Sequence, residues 1–133
     1  MPDMTRWKDR VALITGESSG SGESIARALR SAGMKVAVCG RREERLNSLV
    51  AEAPDRTLGL RVDLRKENEI IEMFERIRNQ WGGVEVLVNN AGLGHKTSLA
   101  DGETELWREM LEVNILALCI CTREGVRHMR QTR

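Results

Sequence analysis

The sequence has 133 residues, of which 41% are hydrophobic and 31% are charged, a balance typical of one globular domain with a buried core. Lys and Arg number 21 and Asp and Glu number 20, so the formal net charge of +1 offers nucleic acid or an anionic membrane no strong field. No apolar run approaches the roughly 18 residues of a spanning helix, and the first residues lack the apolar centre of a signal peptide. We therefore expect neither a nucleic-acid partner nor a membrane span.

The cysteines and histidines are few and scattered. Cys39, Cys119 and Cys121 are odd in number and lack ligand spacing, so we expect reduced thiols in a cytoplasmic protein. His95 and His128 lie far apart and form no metal-binding motif, and we predict no metal site.

Short apolar runs alternate with helical patterns along the whole chain. Strands are predicted at 10–15, 35–39, 57–62 and 84–88. Helices are predicted from the glycine-rich turn to Gly33, at 43–51, over the stripe from Ile70 to Trp81, and at about 104–130. With right-handed crossovers, this order predicts an α/β fold: a Rossmann-type doubly wound parallel sheet of strand order 3-2-1-4. We interpret residues 1–133 as one domain of this fold.

A glycine-rich segment separates the first strand from the first helix. Its candidate binding residues are Gly16, Glu17, Ser18, Ser19, Gly20, Ser21 and Gly22. Unpaired N–H groups and the positive end of the helix dipole would meet there, and a dinucleotide pyrophosphate suits such a place. An ordinary turn explains one glycine but not three at this spacing. A triphosphate-binding loop would need a Lys-Ser or Lys-Thr that the sequence lacks.

Four features together resemble the short-chain dehydrogenase/reductase (SDR) family. The glycines follow the family's TGxxxGxG spacing, and 89–92 match its NNAG motif. Val62-Asp63-Leu64 falls where the family has its adenine-contacting Asp, and Asn114 falls at its helix Asn. Segments 6–10 and 113–124 are similar to the group of SDR family member 11 and the insect farnesol dehydrogenase-like enzymes. The resemblance implies an oxidoreductase that uses a nicotinamide dinucleotide and a small-molecule carbonyl or alcohol substrate.

The residues after the second strand bear on the choice between NAD and NADP. An acidic residue there would accept hydrogen bonds from a ribose 2′-OH, whereas this chain has Arg41 and Arg42 after Gly40. Two guanidinium groups can pair with a 2′-phosphate, which favours NADP over NAD. The alternative interpretation is that both arginines are the solvated start of a charged helix.

The resemblance also implies roles for residues at the ends of the third and fourth strands. Asp63, followed by Leu64, would accept a hydrogen bond from the adenine amino group; otherwise Asp63 is an N-cap of the next helix. Asn90, Ala91 and Gly92 would line the ribose side of the cofactor, or they form a tight turn after the strand. Asn90, Ala91 and Gly92 can form such a turn and line the ribose at the same time.

Asn114 is the one catalytic candidate in the chain. Its place among Met110, Val113, Ala117 and Leu118, which recur at helical spacing, predicts a buried amide, which must be hydrogen-bonded. In the family this Asn holds a water of a proton relay; the alternative is an amide that ties the helix to a backbone carbonyl. The family's Ser and YxxxK motif lie beyond the region that resembles this chain, and the sequence has no Tyr. We expect His95 to be solvated rather than a substitute acid.

The resemblance implies that the chain is the N-terminal half of an SDR domain, truncated after its last helix and inactive alone. The alternative function is an NADP-binding half-domain that acts by association without catalysis. Glu17 and Ser21 depart from the family's usual small residue and Ile. The strand at 84–89 would have an unpaired edge. The helix at 104–130, with Leu116 and Ile120 on a second face, would suit a homo-oligomer interface.

Overall fold

A computed structural model describes residues 3–16 and 20–131 of the chain. Its four strands are β1 (Val11–Thr15), β2 (Lys35–Gly40), β3 (Thr57–Arg61) and β4 (Val86–Asn89). They form a parallel sheet of order β3-β2-β1-β4, which confirms the predicted order. β4 begins two residues later than expected, and the N–H of buried Val84 donates instead to Nδ1 of His128.

The helices follow the predicted order. They are α1 (Gly20–Ser31), α2 (Glu43–Glu52), α3 (Glu67–Trp81), α4 (Thr104–Leu111) and α5 (Ala117–Gln131), with a 3₁₀ turn at Thr5–Trp7. The predicted helix at 104–130 is helical throughout, but a π-helical turn at Glu112–Leu116 joins α4 to α5. Gly82, at φ 90°, ends α3 in the left-handed conformation that favours glycine.

The sheet is covered on both faces because its central strands alternate apolar side chains between two cores. Leu13 packs with Phe74 of α3 and Cys121 of α5 in one core. Ile14 packs with Ala26 of α1 and Leu49 of α2 in the other. All five residues of β1 are buried, as the continuous apolar run predicted.

The apolar faces of the last helices differ from the prediction. Leu116 is 53% exposed, whereas Ile120 is 7% exposed and packs in the core with Ala117. They therefore do not share an exposed face. The wider π turn, which ends at Leu116, places the residues before α5 differently from a continuous α-helix. Association through this helix stays a prediction.

The described ranges contain no helix long and apolar enough to cross a membrane. Cys39 and Cys121 are buried and Cys119 is exposed, and none of the three forms a disulfide. Burial raises the pKa of the Cys121 thiol to about 12, so this thiol stays protonated at neutral pH.

Candidate functional site

An open cavity of about 850 Å³ lies at the carboxyl edge of the sheet. Ligands of open α/β sheets bind in this position, and the volume lies in the range of cofactor sites. Segments that follow all four strands line the cavity, together with the π turn: Gly16; Gly40, Arg41 and Arg42; Arg61, Val62, Asp63, Leu64, Lys66 and Glu69; Ala91, Gly92 and Leu93; and Val113.

Side-chain hydrogen bonds fix the loops after β1 and β4 against each other. The buried hydroxyl oxygen of Thr15 accepts N–H bonds from Asn90 at 3.1 Å and Ala91 at 3.2 Å. The Asn90 amide in turn donates to the Gly16 carbonyl at 2.8 Å. The turn at Asn90–Gly92 is thereby held beside the glycine segment, so its position depends on both strands.

Two glycines allow this close approach. Gly16 has φ 82°, and a Cβ there would lie 2.8 Å from Cα of Ala91. A Cβ on Gly22 would overlap the Gly16 carbonyl oxygen and lie 2.9 Å from the Asn90 amide nitrogen. Backbone and side chain therefore occupy the space that a methyl group would need.

Gly20 differs from the other two, because a Cβ there would meet nothing within 4 Å among residues 3–16 and 20–131. Packing against these residues does not require a glycine here, and the approach of Gly20 to a phosphate stays a prediction. Ser21 is exposed in the first turn of α1. The predicted contacts of Glu17, Ser18 and Ser19 lie outside the described residues.

The two arginines after β2 border the cavity. Both Arg41 and Arg42 are exposed, and Arg42 is the N-cap residue of α2. The structure therefore places them at the cavity as well as at the start of a charged helix. Their contact with a 2′-phosphate stays a prediction.

Asp63 is held by a neighbouring guanidinium. Its carboxylate accepts hydrogen bonds from Nε of Arg65 at 3.0 Å, from Nη2 at 2.9 Å and from the Arg65 backbone N–H at 3.0 Å. The Arg65 side-chain hydrogen bonds lower the pKa of Asp63 to about 2, so the carboxylate is ionised at neutral pH. The interpretation of Asp63 as an N-cap is wrong, because Lys66 holds that position in α3.

The predicted burial of Asn114 is wrong, since this residue is exposed. Its amide nitrogen donates to the Leu93 carbonyl at 2.8 Å, and its amide oxygen accepts the Leu93 N–H at 2.8 Å. This pair of bonds ties the loop after β4 to the π turn, so the amide has the structural role that we considered as an alternative. A water relay through Asn114 stays a prediction.

Sequence reasoning missed a charged group beside the cavity. Nη1 of Arg65 donates to the Glu109 carboxylate at 3.3 Å, and Nε2 of His95 lies 3.4 Å from the other Glu109 oxygen. His95 is half-buried, and its Nε2 is buried without a hydrogen-bond partner in the part of the chain that the structure describes. The prediction of a solvated His95 is wrong. No spacing could have shown this, since the three residues come from different loops and helices.

Comparison with known proteins identifies the family. The family model of short chain dehydrogenases matches residues 10–133. The chain belongs to the SDR family. Dehydrogenase/reductase SDR family member 11 of Bos taurus is 44% identical over 98% of the chain, and the farnesol dehydrogenase of Aedes aegypti is 37% identical over 96%. The alignments cover 53% and 54% of these relatives, so the chain spans about half the length of the proteins that it matches.

A solved structure agrees in fold and sequence. The F189W variant of actinorhodin polyketide ketoreductase, determined with NADPH, superposes with a TM-score of 0.84 at 34% identity. The match covers 91% of this chain and 48% of the ketoreductase. The Rossmann-like sheet and the family of oxidoreductases predicted from the motifs are thus confirmed.

Proposed function

We propose that the chain forms the NADP-binding part of an oxidoreductase that interconverts a small-molecule carbonyl and its alcohol. The cavity carries this proposal, because its walls join the glycine segment, the two arginines, Asp63 and the Asn90–Gly92 turn at one edge of the sheet. Similar proteins named farnesol dehydrogenase and polyketide ketoreductase support the substrate class. A bound nicotinamide would supply the hydride when the carbonyl is reduced and accept it when the alcohol is oxidised.

We expect different loops around the cavity to hold the different parts of a dinucleotide. The first turn of α1 and the backbone around Gly16 would bind the pyrophosphate, because N–H groups at a helix N-terminus have no partner within the helix. Asp63 would accept the adenine amino group, and its ionised state leaves it a pure acceptor. Asn90, Ala91 and Gly92 would line the ribose.

The choice of NADP over NAD rests on charge. Arg41 and Arg42 follow the second strand and line the cavity, and they would pair with a 2′-phosphate there, since no acidic residue stands in their place. Guanidinium groups form short, charge-assisted hydrogen bonds with phosphate oxygens. A ribose 2′-OH would offer these guanidinium groups no negative charge to pair with.

Proton transfer needs a group outside the cavity wall described above. The 133 residues include no tyrosine, so they contain no phenol that could donate or accept the substrate proton. We therefore expect the chain by itself to bind NADPH and to leave carbonyl substrates unreduced. Asn114 would act by positioning the loop at Leu93.

The test is a titration of the 133-residue chain with NADPH and, in parallel, NADH, followed by nucleotide fluorescence and thermal melting. Saturable binding with tighter affinity for NADPH supports the proposal. The Arg41→Gln, Arg42→Gln double variant should lose most of the preference for NADPH. Equal binding of both cofactors by the unaltered chain would refute the NADP assignment, and a folded chain that binds neither would refute the dinucleotide site.

A further inference from the structure

A third arginine, Arg61, lies at the same corner of the cavity as Arg41. Arg61 is the last residue of β3 and is paired in register with Gly40, the last residue of β2. Arg41 follows Gly40 directly, so the two arginines leave the sheet from adjacent strands at its carboxyl edge. Both are exposed and both line the cavity.

The alternation of β3 explains the direction in which Arg61 leaves the sheet. Leu60 and Val62 are buried in the core that includes α3 and α5. Gly59 and Arg61 therefore belong to the opposite face of the strand. A Cβ on Gly59 would meet Val50 of α2 at 3.0 Å, which shows that α2 covers this face. Arg61 lies one side-chain position further towards the carboxyl edge, where Arg41 and Arg42 lead into α2.

Several arginines elsewhere in the chain have carboxylate partners, which this pair lacks. Arg10, Arg30 and Arg56 each form an ion pair at 2.6 Å. Within residues 3–16 and 20–131, neither Arg41 nor Arg61 forms an ion pair or a hydrogen bond, and Arg41 acts on Asp63 only through its field.

The acidic side chains of the cavity cannot balance these charges. Asp63 is already paired with Arg65, and the Glu69 carboxylate lies 3.6 Å from Nζ of Lys66. Two cations without a partner at one corner repel each other, and an anion between them would remove the repulsion. In NADP, the 2′-phosphate is a phosphate monoester that lies apart from the pyrophosphate and carries the negative charge that such a site needs.

We propose that Arg61 is a third arginine of the 2′-phosphate site and, with Arg41, sets the preference for NADPH over NADH. This inference rests on the proposed function and extends it to a residue outside the segment after β2. Arg61 supplies donors to phosphate oxygens and has no contact with the parts that NADPH and NADH share.

The test measures the dissociation constants of NADPH and NADH for the unaltered chain and for Arg61→Gln, Arg61→Lys and Arg76→Gln. Arg76 is an exposed arginine of α3 that does not line the cavity, so its variant controls for the loss of one positive charge. Loss of a charge-assisted hydrogen bond should weaken NADPH binding to Arg61→Gln about tenfold, and NADH binding less than twofold. Arg61→Lys should restore part of the preference, whereas Arg76→Gln should behave as the unaltered chain.

Other results would contradict either the role of Arg61 or the proposed function itself. If Arg61→Gln keeps the unaltered ratio of the two constants, or weakens both cofactors equally, Arg61 is not a specificity residue and the proposed function stands. If the unaltered chain binds neither cofactor, the proposed function is wrong and the Arg61 assignment falls with it. Undiminished NADH binding by the variant shows that its fold is intact.

Discussion

Replacement of Gly22 by alanine should separate the two loops that form the cavity wall. The new Cβ would overlap the Gly16 carbonyl oxygen and would lie 2.9 Å from the Asn90 amide nitrogen. These atoms are themselves joined by the 2.8 Å hydrogen bond from Asn90 to Gly16. The substitution therefore has to move backbone rather than the end of a flexible side chain.

Two costs contribute to the expected magnitude. Overpacking against backbone costs about 1–3 kcal/mol, and the hydrogen bond that would be stretched or broken contributes about 1 kcal/mol. We expect Gly22→Ala to lower the free energy of unfolding by about 2–4 kcal/mol. Urea denaturation followed by circular dichroism measures this loss as a lower midpoint at an unchanged slope.

Gly20→Ala is the matched control. No atom of the residues that the structure describes lies within 4 Å of its Cβ position, and α1 begins at this residue, so alanine should leave stability unchanged or raise it slightly. If Gly22→Ala unfolds at the same urea concentration as Gly20→Ala, the account of the loop contact is refuted. The same variant also tests the predicted approach of Gly20 to the cofactor. A weaker NADPH affinity at unchanged stability would support a position of Gly20 beside a phosphate.

Three further substitutions test the core and the loop after β4. His128 accepts the Val84 N–H while neutral, and burial lowers its pKa, so stability should decline as pH falls below the unfolded value of about 6.5. Urea titrations at pH 7 and pH 5 should show less of this decline in His128→Asn, whose amide oxygen can still accept. Phe74→Ala should cost about 3–5 kcal/mol in the same assay, because the ring is fully buried and meets the His128 ring edge to face at 5.2 Å. Asn114→Ala removes both bonds to Leu93 and should speed amide hydrogen exchange at Leu93.

Each of these has a contradicting outcome. The charge of Arg78 also lowers the pKa of His128 and that of Glu124 opposes it, so an equal decline in His128→Asn would assign the pH dependence to other groups. Phe74→Leu keeps most of the apolar volume and should cost less free energy of unfolding than Phe74→Ala. An equal cost for both variants would contradict the account of the loss as lost apolar volume. Exchange at Leu93 that is unchanged in Asn114→Ala would mean that the two bonds do not hold the loop.

The order of strands and helices could be predicted because local patterns carry it. The buried run of β1 and the glycines after it identify a central strand that leads into a helix, and right-handed crossovers then leave one sheet order. The carboxyl edge was likewise predictable as the place of the cavity. Gly16 and Gly22 carried a signal because they allow close backbone contacts that other residues would prevent.

The contacts and the burial of individual side chains could be predicted less well from the sequence. Asn114 has apolar neighbours at helical spacing, yet it lies on an exposed side of the π turn and binds the Leu93 backbone. His95 looked like an ordinary loop residue until Glu109 was found 3.4 Å away. Helical periodicity assumes a regular turn, and the π turn breaks that assumption.

The sequence by itself determined the fold class and the SDR family, since periodicity and motif spacing are properties of contiguous residues. Only the tertiary structure decided which distant residues meet. Arg61 lies beside Gly40 because β2 and β3 pair in one parallel register, and Arg65 reaches Glu109 because α4 returns to the cavity. Such contacts arise from packing between segments far apart in the chain, and no local pattern records them.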